Sequence, residues 1–555
     1  MKSGRETYLQ FFRYYHYLKN LKFSQIFSYF SFKHNRKKLC FTDSNRIAVI
    51  AENLKQNFKI DDNQKNIEFC FLNYPISISI DEMKWKQKDF VEDVGKYWIT
   101  ELNSFDYINK EKITLSIEQV SCLIIDWIAK NGNENSETWE PYPLSKRLTA
   151  WVKWLNSNQI QNEIVSIMKL SISQQLKRLF VDMEYHRPAN HLLENIRGFL
   201  FGCSSIINSS QYFNNESEFQ LEEVLNEAIK QISLQILKDG GHFERSPMYH
   251  LLVLDNVNDI KNISQYLIKQ KFLRTEILEK TQKLLLLCDE KAKIMTDWLE
   301  ALTMPDGDIA QFNDSSRIKG FKHSFDSLTQ LFEYSGFFVK HESNYSFILS
   351  CGDPSPAFLP EHSHCDILSY ELAIDGIRAI IDSGCSRYDK ETLRTMSRET
   401  EAHNLPMVEH HEQSDIWGNF SFGKRAKILR RTFNSDKSEL DIIIQDQFNQ
   451  ILSRNVVFSE KKIEISDSLK NHKMQGCFVS LIHLAPGIET EISENDNNKI
   501  IICKMTNETK FSIITKANVR LTDYISFPEF GKSLGAKMLV LSNKEAEELN
   551  YVIKW

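Results

Sequence analysis

The chain has 555 residues and a formal net charge of −6, with 68 Lys and Arg against 74 Asp and Glu. This length exceeds the roughly 250–300 residues that one hydrophobic core supports, so we expect at least two domains. The near-neutral charge argues against a dense basic face for nucleic acid, and no run of about 18 apolar residues is present to span a membrane.

The N-terminal segment, residues 1–38, is rich in aromatic and basic residues. Charges interrupt it throughout and no small-residue cleavage site follows, so we predict no conventional secretion signal. Two interpretations are open: a helix that lies on a membrane surface or contacts an assembly partner, or a helix that packs on its own domain. Because FCFLNYPISISI predicts a small strand element next, we assign residues 1–84 to an N-terminal extension.

A helical domain is predicted for residues 85–334. Apolar residues recur there at three- and four-residue spacing, as in IEQVSCLIIDWIAK and LEEVLNEAIKQISLQIL. Such stripes are typical of amphipathic helices. Many short helices joined by polar loops favour a stacked or toroidal all-α domain.

A strand-rich domain is predicted for residues 335–555. Short β-branched and aromatic runs such as YSFILSCG, ELDIIIQDQF and CFVSLIHLAPG alternate there with clusters of Asn, Asp, Gly and Ser. This pattern predicts a large antiparallel β-sandwich. Helices followed by strands, without βαβ alternation, indicate an α+β multidomain chain.

Cofactor motifs are missing from the sequence. It has no P-loop, no GxGxxG after a strand, no GxSxG elbow and no HExxH, so we expect no organic cofactor. The ten cysteines are scattered without a CxxC pair, which predicts reduced, mostly buried thiols.

The first candidate cluster contains Arg187, Asn190 and His191. Pro188 suits the first turn of a helix, which would place Asn190 and His191 near its N-terminal end. Helix N-termini attract carboxylates, so this polar pair is suited to hold an acidic group. The alternative is a capping Asn beside a solvated His.

The second cluster lies between two predicted helices and contains His242, Arg245, Tyr249 and His250. Positive charge from Arg245 and His250 would lower the pKa of the Tyr249 phenol from about 10. The alternative is a packed tyrosine whose hydroxyl bonds to the backbone.

The third cluster offers metal ligands. His362 and His364 are two residues apart, so both project to the same side of a strand. A hairpin return would bring Asp382 beside His364, and His403 would complete a zinc ligand set. The alternative for the two closely spaced histidines is a pair on the surface.

Two further groups of charged residues are candidates for binding or catalysis. Arg394 and Arg398 are suited to bidentate binding of acidic groups, or they belong to a solvated charged loop. Asp306 and Asp308 in PDGD indicate a turn, or a pair of glycosidase carboxylates.

Taken in order, these motifs resemble the heparinase II/III-like polysaccharide lyases, a family that groups with some alginate lyases. The resemblance covers residues 85 to the end and depends on DGGHFERSPMYH (239–250), PDGDIAQFNDS (305–315), HSHCDILSYEL (362–372), IIDSG (380–384) and RETEAHN (398–404). It implies an N-terminal incomplete (α/α) toroid, a C-terminal antiparallel β-sandwich and β-elimination of a uronic-acid polysaccharide.

The resemblance also implies roles for individual residues. Tyr249 would be the base and the acid, Asn190 and His191 would neutralise the uronate carboxylate, and His362 would assist at the same sugar. A structural metal, zinc, would bind the three residues His364, Asp382 and His403. The residues that would line the cleft or bind the polyanion are Arg187, His242, Arg245, Arg394 and Arg398.

Two other functions stay open at this point. One is a non-catalytic, accessory glycan-binding protein in bacterial surface-polysaccharide assembly. The other is a toroid-type glycoside hydrolase with Asp306, Asp308 or Glu244 as acid and base. The family usually works in the periplasm or outside the cell. The expected partner is an anionic uronan of the heparan, hyaluronan, alginate or capsular type.

Overall fold

The computed structural model describes most of the chain, namely residues 10, 12–35, 44–55, 65–90, 95–110, 115–131, 136–270, 273–321, 327–388, 391–471, 476–543 and 547–555. The chain divides into two compact units. A helical unit comprises residues 22–235 and 253–292, and a strand-rich unit comprises residues 1–21, 236–252 and 293–555. The units interleave along the chain, and the predicted borders at residues 84 and 335 stay predictions.

Helices account for most of the helical unit, and the borders between the units fall inside α9 and α10. The helices are α1 Phe23–Asn35, α2 Ser44–Lys55, α3 Lys96–Ser104, α4 Ile117–Lys130, α5 Pro141–Ser157, α6 Asn162–Asp182, α7 Asn190–Ile206, α8 Asn215–Gln235, α9 Pro247–Ile268 and α10 Thr275–Ala301. One antiparallel hairpin accompanies them, formed by β1 Asn66–Phe71 and β2 Tyr74–Ser79.

The helix α4 shows how local sequence sets a boundary. The Ser116 hydroxyl accepts a hydrogen bond from the Gln119 amide, and the Gln119 side chain accepts one from the Ser116 amide. This capping box satisfies two amides that the first turn leaves unpaired. The helix α5 begins at Pro141 and packs against α3, α6 and α7, which makes it the centre of the unit.

None of the described helices is long and apolar enough to cross a membrane. Within the N-terminal segment, residues 12–18 are helical and pack on the strand-rich unit. Arg13 forms an ion pair with Asp415 at 2.9 Å, and the Tyr14 ring lies 5.5 Å from that of Trp417. Residues 1–9, 11 and 36–43 lie outside the described part of the chain.

The strand-rich unit contains three larger antiparallel sheets. Their orders are β3-β4-β5-β6-β7, β19-β20-β15-β8 and β11-β12-β13-β14-β21-β18-β17-β16, while β9 and β10 form a separate pair. The strands are β3 Leu328–Phe332, β4 Phe337–Glu342, β5 Tyr345–Ser350, β6 Tyr370–Ile374, β7 Ile377–Ile380, β8 Pro406–Val408, β9 Ile416–Trp417, β10 Ser421–Phe422, β11 Lys427–Asn434, β12 Glu439–Gln445, β13 Ile451–Ser459, β14 Lys462–Lys470, β15 Phe478–His483, β16 Glu489–Asn495, β17 Asn498–Lys504, β18 Lys510–Thr515, β19 Asn518–Ser526, β20 Leu534–Ser542 and β21 Glu548–Lys554.

Burial distinguishes the sheets of this unit. Residues of β12 to β14 alternate between buried and less buried, so one face of that sheet packs on the core. Every residue of β5 and β6 is buried, which indicates that both faces of the five-stranded sheet are covered. The predicted fold class, a helical part followed by antiparallel sheets, is confirmed.

Candidate active site

Asp314 lies at the centre of the candidate site in the strand-rich unit. Its carboxylate is fully buried and accepts hydrogen bonds from both terminal nitrogens of Arg394. It also contacts His362 Nδ1 at 2.9 Å and His364 Nε2 at 2.8 Å. Burial alone raises the pKa of Asp314, but Arg394 and the two imidazoles hold it well below its usual range.

The ionised carboxylate determines the tautomers of both histidines. Since a carboxylate without its proton only accepts, His362 donates through Nδ1 and His364 through Nε2. Burial lowers the pKa of His362, but the charges of Glu244 and Asp314 outweigh this effect and raise it above its ordinary value. His362 is therefore disposed to carry positive charge.

Tyr249 lies against this histidine. Its ring is stacked on His362 with 3.6 Å between centroids and 24° between the planes. Its hydroxyl lies 3.0 Å from that of Tyr388, a buried tyrosine whose pKa burial raises well above its ordinary value. A hydroxyl that keeps its proton can donate to Tyr249, which favours the phenolate form of Tyr249.

Local sequence explains why Tyr249 occupies the first turn of α9. The Ser246 hydroxyl accepts a hydrogen bond from the Tyr249 amide at 3.3 Å, and Pro247 is the first helical residue. Serine is favoured at the helix cap and proline at the first helical position, so this sequence favours the start of a helix here. The positive end of the helix dipole therefore lies at Tyr249, which again favours negative charge there.

The Tyr249 segment is tied to the Asp314 segment through backbone and side-chain bonds. Ser246 Oγ donates to the Asp314 carbonyl at 2.6 Å, and Asn313 Nδ2 donates to the Arg245 carbonyl at 2.9 Å. Asn313 Oδ1 accepts from the His364 amide at 2.9 Å. Segments far apart in sequence are thus held in one rigid arrangement.

The structure differs from the prediction that Arg245 and His250 place positive charge beside Tyr249. His250 is buried, with its Nδ1 accepting from the His242 amide and its Nε2 bonded to the Met295 carbonyl. Burial lowers the pKa of His250 to about 3, so it is neutral and supplies no positive charge. Arg245 donates to the Asp353 and Tyr334 carbonyls. The prediction that His250 supplies positive charge is wrong, and the neighbouring imidazole whose pKa is raised, although burial opposes this, is that of His362.

Burial also changes the expected roles of three predicted polymer-binding residues. The side chains of His242, Arg394 and Arg398 are fully buried. Arg394 is paired with Asp314, and Arg398 donates to backbone carbonyls, among them that of Gly418 at 3.0 Å. In this conformation these groups lie behind the surface of the site, so we infer that they position other residues.

Three predicted residues belong to the helical unit. Helix α7 begins at Asn190, and its cap is Ala189, so Asn190 is not the capping residue. His191 Nδ1 lies 3.1 Å from Glu184, and its ring is 4.4 Å from that of Tyr142. Arg187 is exposed. Asn190 and His191 lie at the start of a helix as expected, but Pro188 precedes the cap and is not in the first turn, so that part of the prediction is wrong.

Family profiles match the chain over nearly its whole length. The profile of the heparinase II/III N-terminus matches residues 5–338, and that of the heparinase II/III-like C-terminal domain matches residues 327–555. The chain belongs to the heparinase II/III family. This membership confirms the predicted enzyme class, a polysaccharide lyase. No curated protein sequence matches the chain.

Solved structures resemble this heparinase II/III family member in fold. The crystal structure of heparinase III has a TM-score of 0.62 at 15% identity, covering 93% of this chain and 85% of that one. A heparan sulfate lyase HepC mutant from Pedobacter heparinus has a TM-score of 0.59 at 15% identity, covering 93% and 84%. At such identities the likeness establishes the fold alone.

The predicted metal ligands have suitable chemistry. His403 Nδ1 lies 2.8 Å from Asp382. Burial raises the pKa of Asp382, but His403 outweighs this effect and lowers it, which favours a carboxylate that accepts from His403. His403 Nε2, His364 Nδ1 and Asp366 Oδ2 are buried without a hydrogen-bond partner. Buried imidazole nitrogens and carboxylate oxygens that lack partners are ligand types for zinc, so these residues fit a divalent metal.

Among the described residues, a different set of possible metal ligands lies close together. Only Asp314, His364 and Cys385 place one ligand atom each within 4.8 Å of one another there. Arg394 already bonds to Asp314 and lies 3.5 Å from Cys385 Sγ. The guanidinium supplies the positive charge at this position, so a second cation is disfavoured.

Two of the three carboxylates proposed for a hydrolase, Asp306 and Asp308, are engaged elsewhere. Arg378 pairs with Asp306 at 2.8 Å, and Lys319 pairs with Asp308 at 2.7 Å. Burial raises the pKa of Asp306, but Arg378 outweighs it and lowers the pKa below its usual value. A general acid for glycoside hydrolysis needs a raised pKa, so Asp306 does not suit that role.

Sequence reasoning missed three important residues, Asp314, Tyr388 and Glu184. Asp314 lies inside the motif PDGDIAQFNDS, which the family resemblance includes, yet its partners follow 48 to 80 residues later in the chain. No local spacing relates them. Glu184 lies seven residues before His191, in a loop before the helix, where periodicity gives no sign of a contact.

Removing the buried charge of Asp314 is expected to destabilise the protein strongly. In Asp314→Asn, Arg394 would keep a buried charge without its counterion, which costs about 3–5 kcal/mol of the free energy of unfolding. Denaturant titration of the full chain measures this. The control Asp308→Asn breaks an ion pair with the exposed Lys319 and should cost less than about 1 kcal/mol. Equal losses in the two variants would contradict the role of Asp314.

The pair of Glu184 and His191 predicts a pH dependence of stability. Although burial raises its pKa, His191 lowers the pKa of Glu184 from 4.5 to about 2. The contribution is therefore complete above pH 4.5 and disappears as the pH falls from 4.5 to 2. In Glu184→Gln the free energy of unfolding should be lower by about 1–3 kcal/mol at pH 7, and equal to the wild-type value near pH 2. A constant difference over this pH range would exclude the ion pair.

Proposed function

We propose that this protein cleaves a uronic-acid-containing anionic polysaccharide by β-elimination, with Tyr249 as the base and the acid. The observation that carries the proposal is the stacking of Tyr249 on His362, at 3.6 Å, beside a hydroxyl contact with Tyr388. The half-buried Tyr249 combines partial access to solvent with groups that stabilise its phenolate. A protein that only binds glycans has no need of such a base.

The reaction requires removal of a weakly acidic proton from C5 of the uronate. The Tyr249 phenolate takes this proton, and the electron pair of the C5–H bond is delocalised onto the carboxylate at C6. The C4–O4 bond then breaks, a C4=C5 double bond forms, and the Tyr249 phenol returns its proton to the leaving O4. One residue serves both steps when the C5 proton and O4 lie on the same face of the sugar.

Charge at the uronate carboxylate must be neutralised as it grows. Hydrogen-bond donors aimed at the carboxylate stabilise this charge in the same way as an oxyanion hole. We assign this role to Asn190 and His191, assisted by His362. Glu184 supports the assignment, because it accepts a hydrogen bond from His191 Nδ1. The other ring nitrogen of His191, Nε2, therefore points away from Glu184. The start of α7 adds a favourable dipole for an anion.

The substrate class follows from the same groups. A uronate polymer supplies both the carboxylate and the 4-linked leaving group that this chemistry requires. Heparan sulfate is named for the Pedobacter heparinus lyase of similar fold, so sulfated and unsulfated uronans both belong in a substrate panel. The exposed Arg187 and the half-buried Arg245 are the predicted arginines that can meet such a polyanion.

A structural metal is part of the proposal. His364, Asp382 and His403 would hold zinc, which would brace the segments that carry them rather than activate water. Asp382 would act at least partly by orienting His403, because the two are hydrogen-bonded directly. Asp366, whose Oδ2 has no partner, is a further candidate ligand.

Replacing Tyr249 tests the catalytic assignment. Tyr249→Phe keeps the ring on His362 but removes the proton carrier, so turnover should fall by at least about 10²–10⁴-fold while polymer binding survives. Product formation is followed by ultraviolet absorbance of the unsaturated uronate across a panel of uronans. The exposed Tyr334, as Tyr334→Phe, is the matched control in the same unit and should keep full activity.

Two outcomes would contradict the proposal. Turnover that survives in Tyr249→Phe would remove this residue from its role. Cleavage of a uronan by the wild type without the ultraviolet chromophore would indicate hydrolysis and would overturn the elimination mechanism.

The metal assignment has its own measurement. Elemental analysis of the purified full chain should find about one zinc or similar ion, and His403→Ala should lose it and melt at a lower temperature. The exposed His410, replaced by alanine, is the control and should retain the metal. Purified wild-type protein that binds no ion, even after incubation with zinc, would exclude this ligand set.

A further inference from the structure

Helix α1 exposes an unusual row of phenylalanines. The exposed fractions are 85% for Phe23, 71% for Phe27 and 66% for Phe30. At 100° per residue these three positions fall within an arc of about 60° on one side of the helix. Ile26, also exposed, lies next to them. Scattered exposed apolar residues are ordinary, but a continuous aromatic row marks an interaction surface.

The opposite side of α1 is attached to the helical unit. Gln25 is buried and donates to the His186 carbonyl at 3.3 Å. The Phe32 ring lies 4.7 Å from the His186 ring, and α1 packs against α6. The helix is therefore held in place by one face, so the exposed row is not the face on which it packs.

The charges on α1 and on the sequence that flanks it have one sign. Lys22 and Lys33 are exposed near its two ends, and the helix itself, FSQIFSYFSFKHN, contains no acidic residue. No Asp or Glu occurs anywhere between residues 7 and 42, whereas seven Lys and Arg do. An anionic partner is complementary to this surface. A second copy is not, because two such helices face to face would bring like charges together.

We propose that α1 docks this protein on an anionic lipid bilayer, with Phe23, Phe27 and Phe30 inserted at the boundary between headgroups and acyl chains. Lys22 and Lys33 then contact the acidic headgroups. The helix has 13 residues and so is about 20 Å long, less than the about 30 Å of a hydrocarbon core. It lies in the plane of the interface rather than across the membrane.

Vesicle co-sedimentation of the full chain tests this docking. The wild type should bind vesicles of phosphatidylcholine with phosphatidylglycerol and should bind vesicles of phosphatidylcholine alone more weakly, with the difference reduced by salt. The variant Phe23→Ser, Phe27→Ser, Phe30→Ser should bind at least 10-fold more weakly. Each of Lys22→Glu and Lys33→Glu should reduce binding to the anionic vesicles about 5-fold or more.

A matched control uses exposed apolar residues of the same unit that do not form a row. Phe219→Ser, Leu234→Ser, Leu286→Ser removes three side chains that are each more than half exposed, and it should bind vesicles like the wild type. Both triple variants should keep the wild-type melting temperature and the same turnover on a soluble uronan. Phe23→Ser alone, at the most exposed position, should give a partial loss and serves if the triple variant does not fold.

Three results would overturn the docking proposal. The first is that the wild type sediments equally with neutral and anionic vesicles, or with neither. The second is that the two triple variants lose binding to the same extent. Self-association of the wild type that the triple variant of α1 abolishes would instead assign the row to a second copy of the chain. None of these results depends on whether the protein is a lyase, because the readout is binding to vesicles.

Discussion

The buried carboxylate of Asp314 is the interaction on which the candidate site depends. A lone carboxylate in a fully buried position would take up a proton, but the bidentate Arg394 and two imidazole donors keep Asp314 ionised. Ionisation then determines which nitrogen of each histidine carries a proton. Because these donors come from two separate segments, residues 362–364 and Arg394, the charge of one side chain organises segments that sequence order keeps apart.

This organisation extends to the tyrosine that we propose as the base. His362 is held at Nδ1 by Asp314, so its ring has one orientation, and Tyr249 stacks on that ring. The backbone of Tyr249 is also fixed, because its amide donates to Ser246, the cap of α9. A phenol that must exchange a proton with a sugar needs a defined position more than it needs a strong charge nearby. Arg245 and His250 contribute to this positioning as anchors, Arg245 through the Asp353 and Tyr334 carbonyls and His250 through the Met295 carbonyl.

Much of the fold was predictable because periodicity reports which face of an element is buried. The helical stripe of α4 and the alternation in β12 each appear in a few consecutive residues. The site was predictable only as a set of motifs. Tyr249, His362 and His364 are candidates because their residue types suit the chemistry, whereas Asp314 is an aspartate without any local pattern. Its importance comes from three partners that only folding brings to it.

Burial is the property that residue type alone predicts least well. Arginine in a sequence suggests contact with a polyanion, yet Arg394 and Arg398 are wholly buried, while the phenylalanines of α1 are exposed. Both deviations have a physical reason. A guanidinium can be buried when fixed carboxylate or carbonyl acceptors satisfy its donors, and then it positions other groups. An aromatic row can be exposed when a surface covers it in use, which for α1 is the proposed bilayer. Buried charge at Asp314 and Arg394 and exposed apolar surface on α1 are thus two deviations from the ordinary distribution of residues that the proposed functions would explain.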